Sequence, residues 1–326
     1  MDRSTRSLRT AGLAALILAT VPVRADERSE VTFVRAADQL QIKLGGQPVA
    51  TYVFRDDTVL RPYFTHLYAS GAIPVTRSFP PVEGTDPTDH ATMHPGLWLA
   101  FGDINGVDFW RNKGRVEHER FVEPPTGGPS RGSFVVRNRY VARPGEEPVC
   151  FETSRVTILA RPTTILLVID SELASEAHEL AFGAQEEMGL GVRVATPLAV
   201  KQGGHLVNSD GLAGERQAWG KHADWCDAAG IVDGQRAGVT LMPDPVGFGS
   251  GWFHVRDYGL MVANPIERSA HKKGEPAKLL VARGKSLRLR FGVLLHAEPT
   301  GVGLDLKSAY QDFLKVLPTL QGPTAP

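Results

Sequence analysis

Residues 131–171, RGSFVVRNRYVARPGEEPVCFETSRVTILARPTTILLVIDS, decide the fold. They divide into three strand-like runs, Arg131 to Ala142, Val149 to Ala160 and Thr163 to Ser171, rich in the β-branched and aromatic residues that suit a pleated surface. Arg-Pro-Gly and Arg-Pro punctuate the gaps, so the runs read as a meander of neighbouring antiparallel strands. Upstream, Leu40, Ile42 and Leu44 lead into Gly45-Gly46-Gln47-Pro48, and Val49, Thr51 and Val53 return, a hairpin. Downstream, Leu287, Leu289, Phe291, Val293 and Leu295 alternate with Ser286, Arg288, Arg290 and Gly292, which predicts a strand with one face on a core and one in water. One helix is expected, Asp305 to Leu317. Its apolar residues recur at three and four positions, Asp305 can cap it and Pro318 stops it. With no internal repeat and no linker, the chain reads as an all-β protein: one large antiparallel β-sandwich domain over residues 26–318, closed by a C-terminal helix. The polar, Pro-rich tail 319–326 is expected to be disordered.

The chain has 326 residues, 42% hydrophobic and 22% charged, enough to bury a core and exclude intrinsic disorder. Its 36 basic and 36 acidic residues balance, but the first 25 do not belong to the fold. Arg3, Arg6 and Arg9 precede an apolar run from Ala11 to Val23, and Val23-Arg24-Ala25 offers small residues where a signal peptidase reads. That run is well short of the ~20 residues a spanning helix needs. Removing residues 1–25 takes away four Arg and one Asp and leaves a net charge of −3. The expected mature protein is therefore periplasmic or secreted, without a membrane anchor, and a poor partner for nucleic acid. Oligomeric state is left open. So is pairing of the two cysteines, Cys150 and Cys226; no CxxC exists.

Two motifs fail their context. Gly128-Pro129-Ser130-Arg131-Gly132 matches G-x-S-x-G but has a turn before it and a strand after, not the strand and helix of a nucleophile elbow. Gly247-Phe248-Gly249-Ser250-Gly251 precedes the strand-like Trp252 to Val255, so no helix N-terminus is there to hold a phosphate.

The densest chemistry lies in residues 86–110, DPTDHATMHPGLWLAFGDINGVDFW. His90 and His94 sit at a metal-like spacing, but Pro95-Gly96 argues for a loop feeding a strand. Both imidazoles can then line a cleft beside Trp98 and Trp110, with Asp103 as a further polar contact. The alternative reading makes Asp89 and His90 turn and capping groups and puts the aromatics in the core. In a second cluster, residues 185–193, Glu186 and Glu187 would point to opposite faces of a strand. A carboxylate buried in an aromatic cleft is raised in pKa and suited to acid–base work. A third, residues 252–259, places His254, Arg256 and Tyr258 on one face, able to grip hydroxyls or a carboxylate. Arg61, His66, Asn208, Asp210, Lys221 and Asp227 are further polar candidates.

The segment DHATMHPGLWLAFGDINGVDFW resembles the signature DH-x-HH-R-G-L-W-F-A-H-G-D-V-N-G-V-D-F-W of the DUF6807 family, also labelled the PmoA family. The resemblance continues through residues 186–197, 207–211, 218–227 and 252–265. It departs at Met93-His94-Pro95, where family members carry adjacent histidines and an Arg. The PmoA label does not bring methane oxidation with it. Methane monooxygenase subunits of that name are membrane proteins, whereas this chain lacks spanning segments and a copper-demanding His cluster. The resemblance implies a large sandwich of the galactose-mutarotase type, an analogy of fold alone.

Three functions follow as expectations. The first is a carbohydrate-active epimerase, lyase or hydrolase, with Glu187 or Asp257 as base and His90, His94 or His254 as acid or orienting donor. Trp98, Asp103, Trp110, Arg193, Asn208, Lys221, Arg256 and Tyr258 would contact the small-molecule or glycan ligand. The second is a sugar-binding module without turnover. In the third, His90 and His94 with a distant residue hold a metal; no cofactor is otherwise predicted.

Overall fold

The computed structural model describes residues 30–249, 251–266, 279–299 and 301–323. The three runs of the opening stretch are the strands Arg131–Val141, Cys150–Ala160 and Thr164–Ala174, paired antiparallel as a meander. They lie in an eight-stranded sheet, whose order is His205–Asn208, Cys226–Val232, Gln235–Pro243, Ser286–Pro299, Thr164–Ala174, Cys150–Ala160, Arg131–Val141 and Arg115–Thr126. A nine-stranded sheet stacks against it. Its order is Trp252–Arg256, Leu260–Asn264, Met188–Arg193, Leu97–Phe101, Tyr63–Thr65, Gln47–Val53, Gln39–Leu44, Glu30–Arg35 and Gly128–Pro129. The expected hairpin is the Gln39–Leu44/Gln47–Val53 pair, with Gly45 and Gly46 supplying the left-handed backbone of its turn. The protein is a large antiparallel β-sandwich.

The main core fills the space between the sheets. Tyr52 of the larger sheet packs on Phe134 of the smaller at 5.2 Å, amid the alternate residues Val136, Ile158, Leu167, Leu190, Val293 and Leu295. Thr164–Ala174 is buried on both faces, which is why its sequence is a continuous apolar run rather than an alternation. Its outer side chains Leu166 and Val168, with Met242 and Leu294, meet Tyr310 and Phe313 of the C-terminal helix Leu306–Val316 and Leu317 just beyond its end. Gly292 leaves the space for Phe313; a Cβ there would come within 2.8 Å of its ring. Asp305 caps the helix by accepting the Ser308 N–H at 3.0 Å. The Ser286–Pro299 strand therefore departs from its expected one wet face. Leu294 is covered by the helix, and Arg288 and Arg290 are tied to Asp170 and Asp244.

The residues of the expected leader, 1–25, lie outside the described ones. Of the tail, Leu317–Thr319 forms a 3-10 turn and the Gly322 carbonyl accepts from Arg155 Nε at 3.3 Å, while residues 324–326 lie outside the described residues. Cys150 and Cys226 are separate buried thiols, and burial, the larger cause, with the neighbouring Glu152 or Asp227 carboxylate pushes both pKa values up. A maleimide reagent at neutral pH is expected to add to neither in the native protein and to both after unfolding in guanidinium. Intact mass counts the labels.

Candidate functional site

Most sequence candidates meet on the outer face of the nine-stranded sheet. Register sets Trp98 opposite Gly191, Gly191 opposite Val262 and Val262 opposite His254; one step along the strands, Arg193 and Arg256 both face Leu260. Their sequence neighbours Leu190, Val192, Val255 and Met261 belong to the inter-sheet core, so alternation sends this set outward. Trp98 and Trp110 pack edge to face at 5.1 Å, fully buried beneath the connections that cover this face. Only a glycine fits beside them at position 191, where a Cβ would come within 2.8 Å of both indoles.

Three buried arginines pin the loop before Trp98. Arg77 donates to the carbonyls of Pro87 (2.7 Å), Asp89 (2.8 Å) and His94 (3.1 Å). Arg61 donates to the carbonyls of Trp110 (3.0 Å) and Met93 and to Asn112 Oδ1 (2.8 Å). Arg193 grips the Asp89 carboxylate with both Nη atoms at 3.0 and 2.8 Å. Burial, chiefly, pushes Arg61 down to about 9 and Arg77 down to about 10. Partial burial works to raise the Asp89 carboxyl, but the hydrogen bonds from His90 and Arg193 and the charges of Arg193 and Arg77 outweigh it, holding it at about 2. Asp89 in turn meets His90 Nδ1 at 2.8 Å. His90 sits in left-handed backbone with φ 51°, unusual for a residue other than glycine, and its carbonyl accepts the N–H groups of Met93 and His94. With Nδ1 donating to Asp89, the Nε2 lone pair is left as a base, on a side chain 41% exposed.

Rings continue inward from His90. It stacks on His94 at 4.9 Å, His94 stacks on Trp98 at 5.2 Å, and Tyr258 lies nearly parallel to His90 at 6.0 Å. The Arg193 guanidinium covers Tyr258 at 4.4 Å. His94 is buried and neither ring nitrogen has a hydrogen-bond partner among the described residues. Burial first, then the neighbouring His90 and the charges of Arg193, Arg61 and Arg77, push it down to about 2, so it is a neutral ring within the stack.

Tyr258 joins this group to a second. Burial raises its phenol most, and Arg193, Asp89, Arg256 and Glu215 all act on it. Arg256 donates to Glu215 at 2.8 Å and Glu186 at 3.0 Å. Trp219 Nε1 donates to His254 Nδ1 at 3.0 Å. Glu186, Glu215, Arg216, Trp219 and Arg256 line an open cleft of about 440 Å³. His254 is buried, and that burial with the Arg256 charge lowers it to about 3.

The remaining candidates are engaged elsewhere. Glu186 and Glu187 precede the Met188–Arg193 strand rather than lying in it, and Glu187 pairs with Arg111 while Glu186 turns to Arg256. Asp257 Oδ1 accepts the Glu215 N–H at 2.8 Å, and Glu215 Oε2 accepts the Asp257 N–H at 3.1 Å, a reciprocal cap on the short helix Gly214–Ala218. Tyr258 lies in the turn beyond the strand, which ends at Arg256. Asp103 closes a turn through the Gly106 N–H, Asn208 closes another through Asp210 and Leu212, and Lys221 is exposed beyond that helix. Arg77, Glu215 and Trp219 were not singled out from sequence. Trp219 had one signal, its place in a stretch matching the family pattern (218–227), whereas Arg77 and Glu215 lie outside every such stretch. Among the described residues no group of three or more His, Cys, Asp or Glu side chains is placed to hold a metal ion; His90 and His94 stack face to face instead of converging on a point.

A family model matches residues 39–302, spanning the loop, both halves of the site and most of both sheets. The chain belongs to the DUF6807 family. That family is described as one of unknown function. No curated protein matches the chain. Among solved structures it is similar to an α-galactosidase from Lactobacillus brevis, with TM-score 0.42 and 8% identity over 85% of this chain and 40% of that one. It is also similar to a galactose mutarotase-like protein from Clostridium acetobutylicum, with TM-score 0.34 and 9% identity over 82% and 95% of the two chains. A galactose mutarotase related enzyme from Lactobacillus acidophilus gives TM-score 0.32 and 11% identity over 84% and 100%. The chain spans less than half of the α-galactosidase. These likenesses concern the course of the chain and carry no activity or ligand to it.

Two expectations follow. Asp89→Ala leaves the Arg193 guanidinium buried without its carboxylate, and chemical denaturation should show a loss of about 2–4 kcal/mol. Stability should also peak near neutral pH. His94, His254 and His118, lowered to about 2, 3 and 4, take up protons in the unfolded chain first, so stability falls as pH drops below the ordinary histidine value of 6.5. His296 is raised to about 9, since the charges of Asp227 and Glu298 and its hydrogen bonds to both outweigh its burial. Its contribution is complete below 6.5 and is lost as pH rises through about 9. Urea midpoints across pH should trace both limbs, the acid limb shallower in His94→Gln and the alkaline limb shallower in His296→Gln.

Proposed function

We propose that the protein binds a sugar or related polyhydroxy compound on the outer face of the nine-stranded sheet and acts on it by acid–base chemistry. The observation that carries this reading is the chain Arg193–Asp89–His90. A buried guanidinium holds a carboxylate, the carboxylate holds one imidazole nitrogen, and the other nitrogen is left as a base beside a stack of rings. His90 is the base in this scheme, oriented by Asp89 and Arg193. Trp219 offers a ring face to the apolar side of a sugar, and Glu186, Glu215 and Arg256 offer hydrogen bonds to its hydroxyls. His94 and Trp98 support the base from below, as buried rings.

Epimerase, lyase and hydrolase chemistry each need such a base. NMR of the protein with a panel of monosaccharides and glycosides reads binding, anomer or epimer exchange and bond cleavage together. The wild type is expected to bind and turn over at least one member. His90→Ala should keep the binding and lose roughly 10²–10⁴-fold in rate. Binding without turnover by the wild type would instead make the protein a sugar-binding module, a reading supported by the engagement of Glu186 and Glu215 with Arg256. Neither binding nor turnover across the panel would overturn the sugar reading.

Export belongs to the same proposal. The basic start and short apolar run of residues 1–25 support cleavage after Ala25.

A further inference from the structure

The outer face of the eight-stranded sheet carries a second polar group, on the opposite side of the sandwich from His90. His296 lies between two carboxylates, with Nε2 3.0 Å from Asp227 Oδ1 and Nδ1 2.8 Å from Glu298 Oε1. Thr240 Oγ1 donates to the same Asp227 oxygen at 2.9 Å. Gly238, directly opposite His296, makes the space, since a Cβ there would approach the imidazole to 2.5 Å. Asp227, His296 and Glu298 are all at most 7% exposed. The second oxygens, Asp227 Oδ2 and Glu298 Oε2, have no hydrogen-bond partner among the described residues. Two carboxylates around one imidazolium leave a surplus negative charge under a polar floor.

A cavity of about 330 Å³ opens over this floor, between the sheet and the segment that leads into the C-terminal helix. Asp227 and His296 line its base, Arg236 its side, and Val302, Leu304 and Leu306 the opposite wall. Arg236 forms no ion pair among the described residues. The cavity is therefore lined by a carboxylate with one oxygen in want of a donor, by a guanidinium in want of an anion, and by an aliphatic wall. Among the described residues no Phe, Tyr or Trp lines it, so it lacks the broad stacking platform a sugar would use.

We propose that this cavity binds a small zwitterion, an α-amino acid with an aliphatic side chain. The ammonium is held by Asp227, the carboxylate by Arg236, and the side chain lies against Val302, Leu304 and Leu306. The site is independent of the sugar reading, because it lies on the other sheet and shares no residue with it.

Calorimetry of the full chain against leucine, valine, butylamine, butyrate and galactose tests this. Leucine or valine is expected to bind, with the amine and the acid, each lacking one charge, weaker by roughly tenfold or more. Arg236→Gln should weaken the amino acid by at least about tenfold, and Val302→Trp, which fills the cavity from an exposed position, should abolish binding. Asp227→Asn should do the same, and circular dichroism distinguishes lost binding from lost fold. His90→Ala should leave amino-acid binding unchanged. The proposal is overturned if no amino acid binds the wild type at about 10 mM, if binding survives both Arg236→Gln and Val302→Trp, or if galactose binds there in preference.

Discussion

The bidentate pair between Arg193 and Asp89 joins residues 104 positions apart, and the candidate site depends on it. Arg193 is rooted in a central strand and almost wholly buried, so its charge would be costly without a partner. That cost holds the loop down, because the carboxylate of Asp89 must stay where the guanidinium can reach it. Arg77 and Arg61 then secure the same loop through its carbonyls. His90 keeps its left-handed backbone and its orientation as a consequence, while His94 and Trp98 are closed off from water beneath it.

Each sheet has one face in the common core and one that needs its own cover. On the eight-stranded sheet an amphipathic helix supplies it, with Phe313 set into the gap at Gly292. On the nine-stranded sheet irregular connections do the work, over a smaller cluster around Trp98, Trp110, Tyr63 and Val262. Irregular backbone must satisfy its own carbonyls, and buried arginines with several donors each are suited to that task. The same requirement concentrates charge and aromatic rings where a ligand can reach them. Both candidate sites lie at the margins of these covers, where the sheet is neither fully packed nor fully wet.

Much of the fold was legible in the chain. The strands at 131–171, the Gly45-Gly46 hairpin and the capped helix rest on local periodicity and turn chemistry, which act between near neighbours. The site was legible only as a set of residue types. His90, Trp98, Arg193 and Tyr258 were visible as chemistry-bearing groups, yet nothing local tells that Arg193 belongs to Asp89. Glu187 and Glu186 could not be told apart, because strand alternation cannot say which carboxylate meets Arg111 and which meets Arg256, and Glu215 carried no local signal at all. Asp227 stood out as a polar residue, but its partners His296 and Glu298 come from a strand two places away in the sheet.

By itself, the sequence determined that the chain is an antiparallel β-sandwich with one terminal helix, and that its polar and aromatic residues gather in a few segments. Period-two alternation, glycine turns and a capped apolar stripe are read from neighbours a few residues apart, so no tertiary knowledge is needed for them. Only the tertiary structure decided which of those residues act together. Charge pairing and ring stacking are set by distances in space, and the decisive pairs here close over 69 to 104 residues of chain. It also decided that His94 is a buried neutral ring while His90, four residues earlier, is half in water. That difference comes from the weight of protein packed over each, which periodicity does not encode.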